Sequence, residues 1–435
     1  MTARLRTWLD AARRHPHRTV AVLATLAFVV GAAIAKHSGT ELHYVDERDY
    51  VDLARHLADG LGYSNGVTPT AFRPPAWPAV ISVVDLLGGG IIATRFLAVA
   101  CFCASIVGLY ELVRRVAGTD AGLLAATLLT CYPLSLYTAT TLYPESLALL
   151  LVTTGMLATV LADRTERTGT RAAWAAGAGA SFGVLGLTAP AYLVLAGTAV
   201  VWVLWRRCTI PRVTAIAVPL VLVTLVPLVG WGLRNQAELG SFVPTSTNGG
   251  VNLLLGNNPH ATPTTGVDAD ISTYVDTALR RKLDEVETDR YFRDEAIRWI
   301  RNNPADAATL YLGKLANFFN YRSKVVTESR QSGFTDLLGA VTFYPLVLLF
   351  FVRLAFFRKL PLARGEGLLA SSYLLYALTA AVFFTRIRFR VPVDQLMMGV
   401  VASGAVAWWR SQRSPVGADA DASPDRGLAP AARIP

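Results

Sequence analysis

Charge is scarce in this sequence. Only 17% of its 435 residues are Asp, Glu, Lys or Arg, 53% are hydrophobic, and the mean hydropathy is +0.39. A soluble chain of this length needs far more charged surface, so the composition points to a polytopic membrane protein. Cysteine is rare as well: Cys101, Cys103 and Cys131 lie in apolar segments and Cys208 in a short basic loop. None falls in a segment expected outside, so neither a disulfide framework nor a cysteine metal site is implied. A Walker A loop is missing, which excludes an ATP-driven pump acting alone. No internal repeat is evident, and no carboxylate, histidine or lysine stands at mid-membrane depth, where transporters with broken helices place polar residues. The net charge of +10 would suggest nucleic acid in a soluble protein. Here the arginines sit in short loops between apolar runs and read as topology signals, so no nucleic acid partner is expected.

What is abundant is apolar sequence in runs of about 17–25 residues, each long enough to cross a bilayer. The pattern predicts about ten spans, at 19–35, 91–113, 121–139, 143–162, 172–189, 191–205, 213–233, 334–357, 366–384 and 391–409. With the basic N-terminus inside, Arg114, Arg164, Arg206, Arg358 and their basic neighbours all fall in inside loops, as the positive-inside rule requires. "PPAWPAVISVVDLLGGG", Pro74 to Gly90, is short and bounded by prolines and glycines. It reads as a helix lying along the outer leaflet, because counting it as a span would flip every later loop. "AIA" at Ala33–Ala35 resembles a signal-peptidase site, but a retained anchor is the reading adopted. The expected organisation is a cytoplasmic N-terminus (1–18), a membrane core (19–233) containing a first extracytoplasmic loop (36–90), and a large extracytoplasmic loop (234–333). C-terminal spans (334–410) and a disordered cytoplasmic tail (411–435) complete it.

Polar residues gather at the outer ends of the spans. "HYVDERDY", His43 to Tyr50, holds Asp46, Glu47, Arg48 and Asp49 in succession, and Tyr50, Leu53 and Leu57 give the helix that follows one apolar face. From this stretch alone, Asp46 and Asp49 read more readily as helix caps than as catalysts. Arg73 precedes two prolines, Glu145 opens a span after Pro144, and Asp394 follows the triple-arginine loop of Arg386, Arg388 and Arg390. "GNNP", with Asn257 and Asn258, is a turn by composition, and His260 reads as a surface loop residue. Together, however, carboxylates and arginines from distant segments arrive at one depth. Arginines there suit bidentate recognition of a phosphate, and a carboxylate opposite suits a general base.

"DERDYVDLARHLADGLGYS", "PTAFRPPAWP", "GVNLLLGNNP" and "RFRVPVD", in this order, resemble the GT-C membrane glycosyltransferases, in particular the bacterial relatives of protein O-mannosyltransferases and the ArnT-like aminoarabinose transferases. The resemblance covers nearly the whole chain, although the C-terminal end reads as shorter than in the best-known members. It implies an all-α polytopic fold. It further implies transfer of a sugar from a polyprenyl-phosphate carrier to an extracytoplasmic hydroxyl-bearing acceptor, whether protein, lipid or cell-wall glycan. Asp46, or second Glu47, would be the catalytic base; Arg73, Arg386, Arg388 and Arg390 would hold the donor phosphate. Tyr50, Glu145, Asn257, Asn258, His260 and Asp394 are expected around the sugar and acceptor. ArnT-like enzymes can carry an acidic metal ligand just before the basic residue; Phe72 stands there, so no tightly bound metal is expected. A polyprenyl phosphate leaves without protonation, so one base suffices, with inversion at the anomeric carbon. The class is thus an inner-membrane hexosyl- or pentosyltransferase with both termini cytoplasmic. The rival classes are a transporter or flippase of an anionic lipid and a non-catalytic membrane scaffold.

Overall fold

The computed structural model describes residues 12–206, 209–322 and 333–412. The expected tail and most of the expected N-terminal segment lie outside this range. Helices run in the order α1 (Pro16–Ser38), α2 (Val45–Ala58), α3 (Ala76–Leu86), α4 (Gly90–Ala117), α5 (Thr119–Thr130), α6 (Pro133–Ala139), α7 (Glu145–Arg164) and α8 (Thr168–Gly186). They continue with α9 (Leu193–Trp205), α10 (Ile210–Leu239), α11 (Gly249–Gly256), α12 (Ser272–Arg280), α13 (Glu285–Asn302), α14 (Pro304–Phe318), α15 (Gly333–Ala355), α16 (Glu366–Val382) and α17 (Ile387–Ser411). Extended pairing among the described residues is limited to one bridge, Ser64 with Pro69. The architecture is the all-α polytopic one expected.

All ten expected spans fall on helical segments, the one at 121–139 on two of them, and they differ in character. Six are long and apolar enough to cross a membrane by themselves: α1, α4, α7, α10, α15 and α17. The pair α5–α6 passes only as one span bent by 61° at Pro133. Segments α8, α9 and α16 are shorter or less apolar, and α8 and α16 pack within the bundle. The close approach of α8 to α10 depends on Gly179 and Gly183, four residues apart. A Cβ on Gly179 would clash with the Leu220 carbonyl oxygen, and one on Gly183 would meet that of Thr224 at 2.7 Å. Small residues at this spacing let two membrane helices pack backbone to backbone.

Helix α3 has 11 residues, about 16 Å of rise, and cannot cross a hydrocarbon core of about 30 Å. This agrees with its expected place outside the spans. Helix α13 opens with a capping box, Asp284 accepting from Glu287 N at 2.8 Å and Glu287 from Asp284 N at 3.1 Å. Its Phe292 and Ala296 pack with Leu254 and Ala278 into a small separate core. Helix α14 begins at Pro304 with Asn303 as its cap residue, proline at the first helical position being favoured. Glu285 ties this region to the first loop: it accepts from Thr70 Oγ1 at 2.6 Å, Ala71 N at 2.8 Å and Thr247 Oγ1 at 2.5 Å. Segments 36–90 and 234–318 thus meet on one side of the bundle.

Candidate active site

Helix α2 starts at Val45 because Glu47, at its third position, turns back to accept from Tyr44 N at 3.2 Å and His43 N at 2.8 Å. Its other oxygen takes Leu142 N at 2.8 Å, and the side chain is fully buried. Glu47, not Asp46 or Asp49, is therefore the capping acid, and its backbone bonds occupy both oxygens. Glu47 is thus engaged as a helix cap, and Asp46 is the acid that faces the arginines.

Asp46 is left free of the cap. Its Oδ1 accepts from Arg73 Nη2 at 2.7 Å and its Oδ2 from Arg388 Nη2 at 2.6 Å. Arg73 also reaches Asp49 Oδ2, with Nη2 at 2.7 Å and Nε at 3.2 Å. The loop carrying Arg73 is held from behind by Glu285 and by Tyr63, whose hydroxyl donates to the Arg73 carbonyl at 2.8 Å. Arg388 lies flat on Tyr143, its guanidinium 4.1 Å from the ring centroid, while that of Arg73 sits 5.5 Å from the Tyr50 ring. Glu145 Oε1 is 3.8 Å from Arg388 Nε. Among the described residues, Arg388 Nε and Glu145 Oε2 are buried without hydrogen-bond partners.

Burial pushes the Asp46 carboxyl up, but Arg388 and Arg73 more than offset this and hold it below the usual carboxylate range. Burial also pushes the Tyr50 hydroxyl up to about 12, so it stays neutral. The cluster therefore holds a carboxylate between two guanidiniums with hydrogen-bonding capacity to spare. Such an array is suited to an incoming phosphate, which forms charge-assisted and bidentate bonds with arginine.

The remaining predicted residues sit elsewhere. Arg386 pairs with Asp268 at 3.2 Å, at the edge of the site. Arg390 points the other way, into the bundle: it pairs with Asp394 at 3.2 Å and donates to the carbonyls of Phe318, at 2.9 Å, and Asn320. Asp394 is fully buried and also accepts from Tyr132 and Tyr373. The triple-arginine segment is not a loop but the first turn of α17, where about 100° per residue turns Arg388 and Arg390 to opposite sides. Arg390 and Asp394 thus form a buried pair of their own, separate from the Asp46 cluster. Asn257 and Asn258 are buried and bonded to backbone, Asn257 Nδ2 to Leu253 O and Val382 O at 2.9 Å each, Asn258 Nδ2 to Leu254 O at 2.8 Å. They shape the turn after α11, and His260 is exposed beside it.

Sequence reasoning missed Tyr143, Asp268 and Lys314. Lys314 is buried on α14 and donates to Gly256 O at 3.0 Å, Asn257 Oδ1 at 3.1 Å and Phe383 O at 2.8 Å. Burial without a carboxylate partner pushes its ammonium down to about 8. A lone lysine in the apolar run "LYLGKLANFF" was the available signal.

Residues 72–231 match the sequence profile of the dolichyl-phosphate-mannose-protein mannosyltransferase family. No curated protein matches the chain by sequence. Among solved structures, the oligosaccharyltransferase AglB of Archaeoglobus fulgidus, in complex with an inhibitory peptide and a dolichol-phosphate, is similar with a TM-score of 0.54 and 14% identity, covering 92% of this chain and 51% of that one. The same organism's oligosaccharyltransferase in apo form gives 0.52 and 13%, over 89% and 51%. ArnT of Cupriavidus metallidurans bound to undecaprenyl phosphate gives 0.47 and 14%, over 90% and 59%. The chain thus spans about half the length of the oligosaccharyltransferases and 59% of ArnT. It is a polytopic membrane protein with the fold of the GT-C glycosyltransferases, and its residues 72–231 resemble the protein mannosyltransferases.

Proposed function

We propose that the protein is an integral membrane glycosyltransferase that moves a sugar from a polyprenyl-phosphate carrier to an extracytoplasmic acceptor hydroxyl, on protein, lipid or cell-wall glycan, with inversion. The observation that carries this reading is the bridging of Asp46 by Arg73 and Arg388, three residues from three separate segments. The profile match and the bound polyprenyl phosphates of the similar structures support the donor class. The cluster faces outward when the basic N-terminus is inside.

In this reading the donor phosphate takes over guanidinium N–H groups of Arg73 and Arg388 that now serve Asp46. The Asp46 carboxylate then loses two counter-charges while remaining part-buried, and both changes raise its affinity for a proton. Asp46 takes the acceptor hydroxyl proton, and the acceptor oxygen forms a bond to the anomeric carbon. The bond from that carbon to the phosphate oxygen breaks with its electron pair, and the two arginines stabilise the added negative charge. Base strength is thus coupled to donor binding. Tyr143 and Glu145 keep Arg388 at the site.

The test uses the full chain in nanodiscs with a panel of radiolabelled polyprenyl-phosphate sugars and an envelope extract as acceptor, wild type beside Arg73→Ala. Transfer from one donor by the wild type, much reduced in Arg73→Ala, is expected and names the sugar. Absence of binding and turnover across the panel would contradict the reading.

A further inference from the structure

A second cleft lies between the turn after α11 and the junction of α13 with α14. It has a volume of about 400 Å³ and is lined by Asn258, Pro259, Trp299, Asn303, Asp306 and Leu310. That size lies within the usual range of small-molecule sites, about 300–1,000 Å³. Trp299 belongs to the apolar stripe of α13, yet differs from the rest of it. Phe292 and Ala296 are buried in the small core, while Trp299, one turn on, is only half-buried and borders the cleft.

The polar groups around this indole have a definite character. Asn303 spends its amide N–H on the Trp299 carbonyl at 2.9 Å, which leaves its side-chain oxygen as an acceptor. Asp306 is exposed and offers two more acceptor oxygens. Asn258 is fully engaged, its Nδ2 on Leu254 O and its Oδ1 taking His260 N, each at 2.8 Å, so it serves as wall. None of the described residues lining the cleft is a cation. An anion is therefore disfavoured, in contrast to the arginine cluster.

An aromatic face beside hydrogen-bond acceptors fits a neutral sugar ring. The ring's C–H face packs on the negative face of the indole, and its hydroxyls donate to Asn303 and Asp306. The same loop continues to Gly266, which packs on the Arg386 guanidinium, only five residues beyond Ala261. Five residues span at most about 18 Å, which bounds the distance from Ala261, at the cleft, to Gly266 beside Arg386.

We propose that this cleft is a carbohydrate subsite for a neutral sugar residue of a glycan, held on Trp299 with Asn303 and Asp306. That the glycan is the acceptor rests on the transferase reading; the binding itself does not. Saturation-transfer NMR on the full chain in nanodiscs, with mannotriose, arabinotriose and maltotriose as probes, tests it. At least one trisaccharide is expected to bind, with affinity reduced about tenfold or more in Trp299→Ala and retained in part in Trp299→Phe. Asp306→Asn, at an exposed position, is expected to weaken binding without unfolding the chain. Failure of all three probes, or wild-type binding by Trp299→Ala, would overturn the subsite. Binding lost in Trp299→Ala with no transfer from any donor would leave the subsite standing and sink the transferase reading. Transfer to the glycan with an unchanged KM in Trp299→Ala would do the reverse.

Discussion

Two arginine–aspartate sites begin on the same turn of α17, and they are built to opposite ends. Around Arg390 and Asp394 the polar groups are engaged: the carboxylate takes Arg390 Nε and the hydroxyls of Tyr132 and Tyr373, and the guanidinium takes two backbone carbonyls and covers the Phe343 ring. The side chains are 1% and 0% exposed. Around Arg388 and Asp46 they are 26% and 24% exposed, and Arg388 Nε and Glu145 Oε2 have no partners among the described residues. Identical chemistry thus serves as a sealed keystone in one place and an open array in the other. Unspent hydrogen-bonding capacity, rather than the presence of charge, separates the two, because buried polar groups are normally paired.

The comparison is broken first at the sealed end. Arg390→Met leaves Asp394 buried without its cation and is expected to cost about 3–5 kcal/mol of stability, read as a large fall in melting temperature. A loss as small as that of a surface arginine would mean the sealed site is not sealed. At the open end, Arg388→Lys keeps the charge but loses the planar fork. It is expected to raise the donor KM about tenfold while leaving the melting temperature nearly unchanged. A fall in stability like that of Arg390→Met would equate the two sites.

Much of the frame was legible. Apolar runs marked the six helices long enough to cross a membrane, and the prolines and glycines around residues 74–90 marked a helix too short to cross. What stayed hidden was rotation. Arg388 and Arg390 are two apart, and Asp46 and Glu47 adjacent, so each pair reads as one feature until the helix start is known. Asp46 heads the stripe of Tyr50 and Leu53 and Glu47 that of Val51 and Ala54, all four buried, so the pattern alone does not say which acid caps the helix. The partners of Lys314 come from α11 and from the end of α16, contacts that no local pattern announces.

Two smaller effects sharpen the contrast through pH. The folded-state value of Asp46 is lowered, so its stabilising contribution is complete above the ordinary carboxylate pKa of about 4 and is lost as pH falls through the lowered value. The stability difference between wild type and Asp46→Asn should therefore be constant from neutral pH to about 5 and shrink only below about 4. A difference that changes between pH 7 and 5 contradicts the double arginine clamp. Lys314 runs the other way. Its folded value of about 8 lies below the unfolded one, so the unfolded chain binds more protons as pH rises from there to about 10, and stability rises. Wild type should gain modestly on Lys314→Met between pH 8 and pH 10 in thermal melts. No gain would mean the ammonium is better compensated by its carbonyls than burial implies.

The most direct test of the open site is Asp46→Asn in nanodiscs, with donor binding and sugar transfer measured on the same preparation. Binding within a few-fold of wild type is predicted, with transfer reduced about 10²–10⁴-fold, the loss expected of a general base. Transfer at the wild-type rate would contradict the account and return Asp46 to the role of a structural clamp for Arg73 and Arg388.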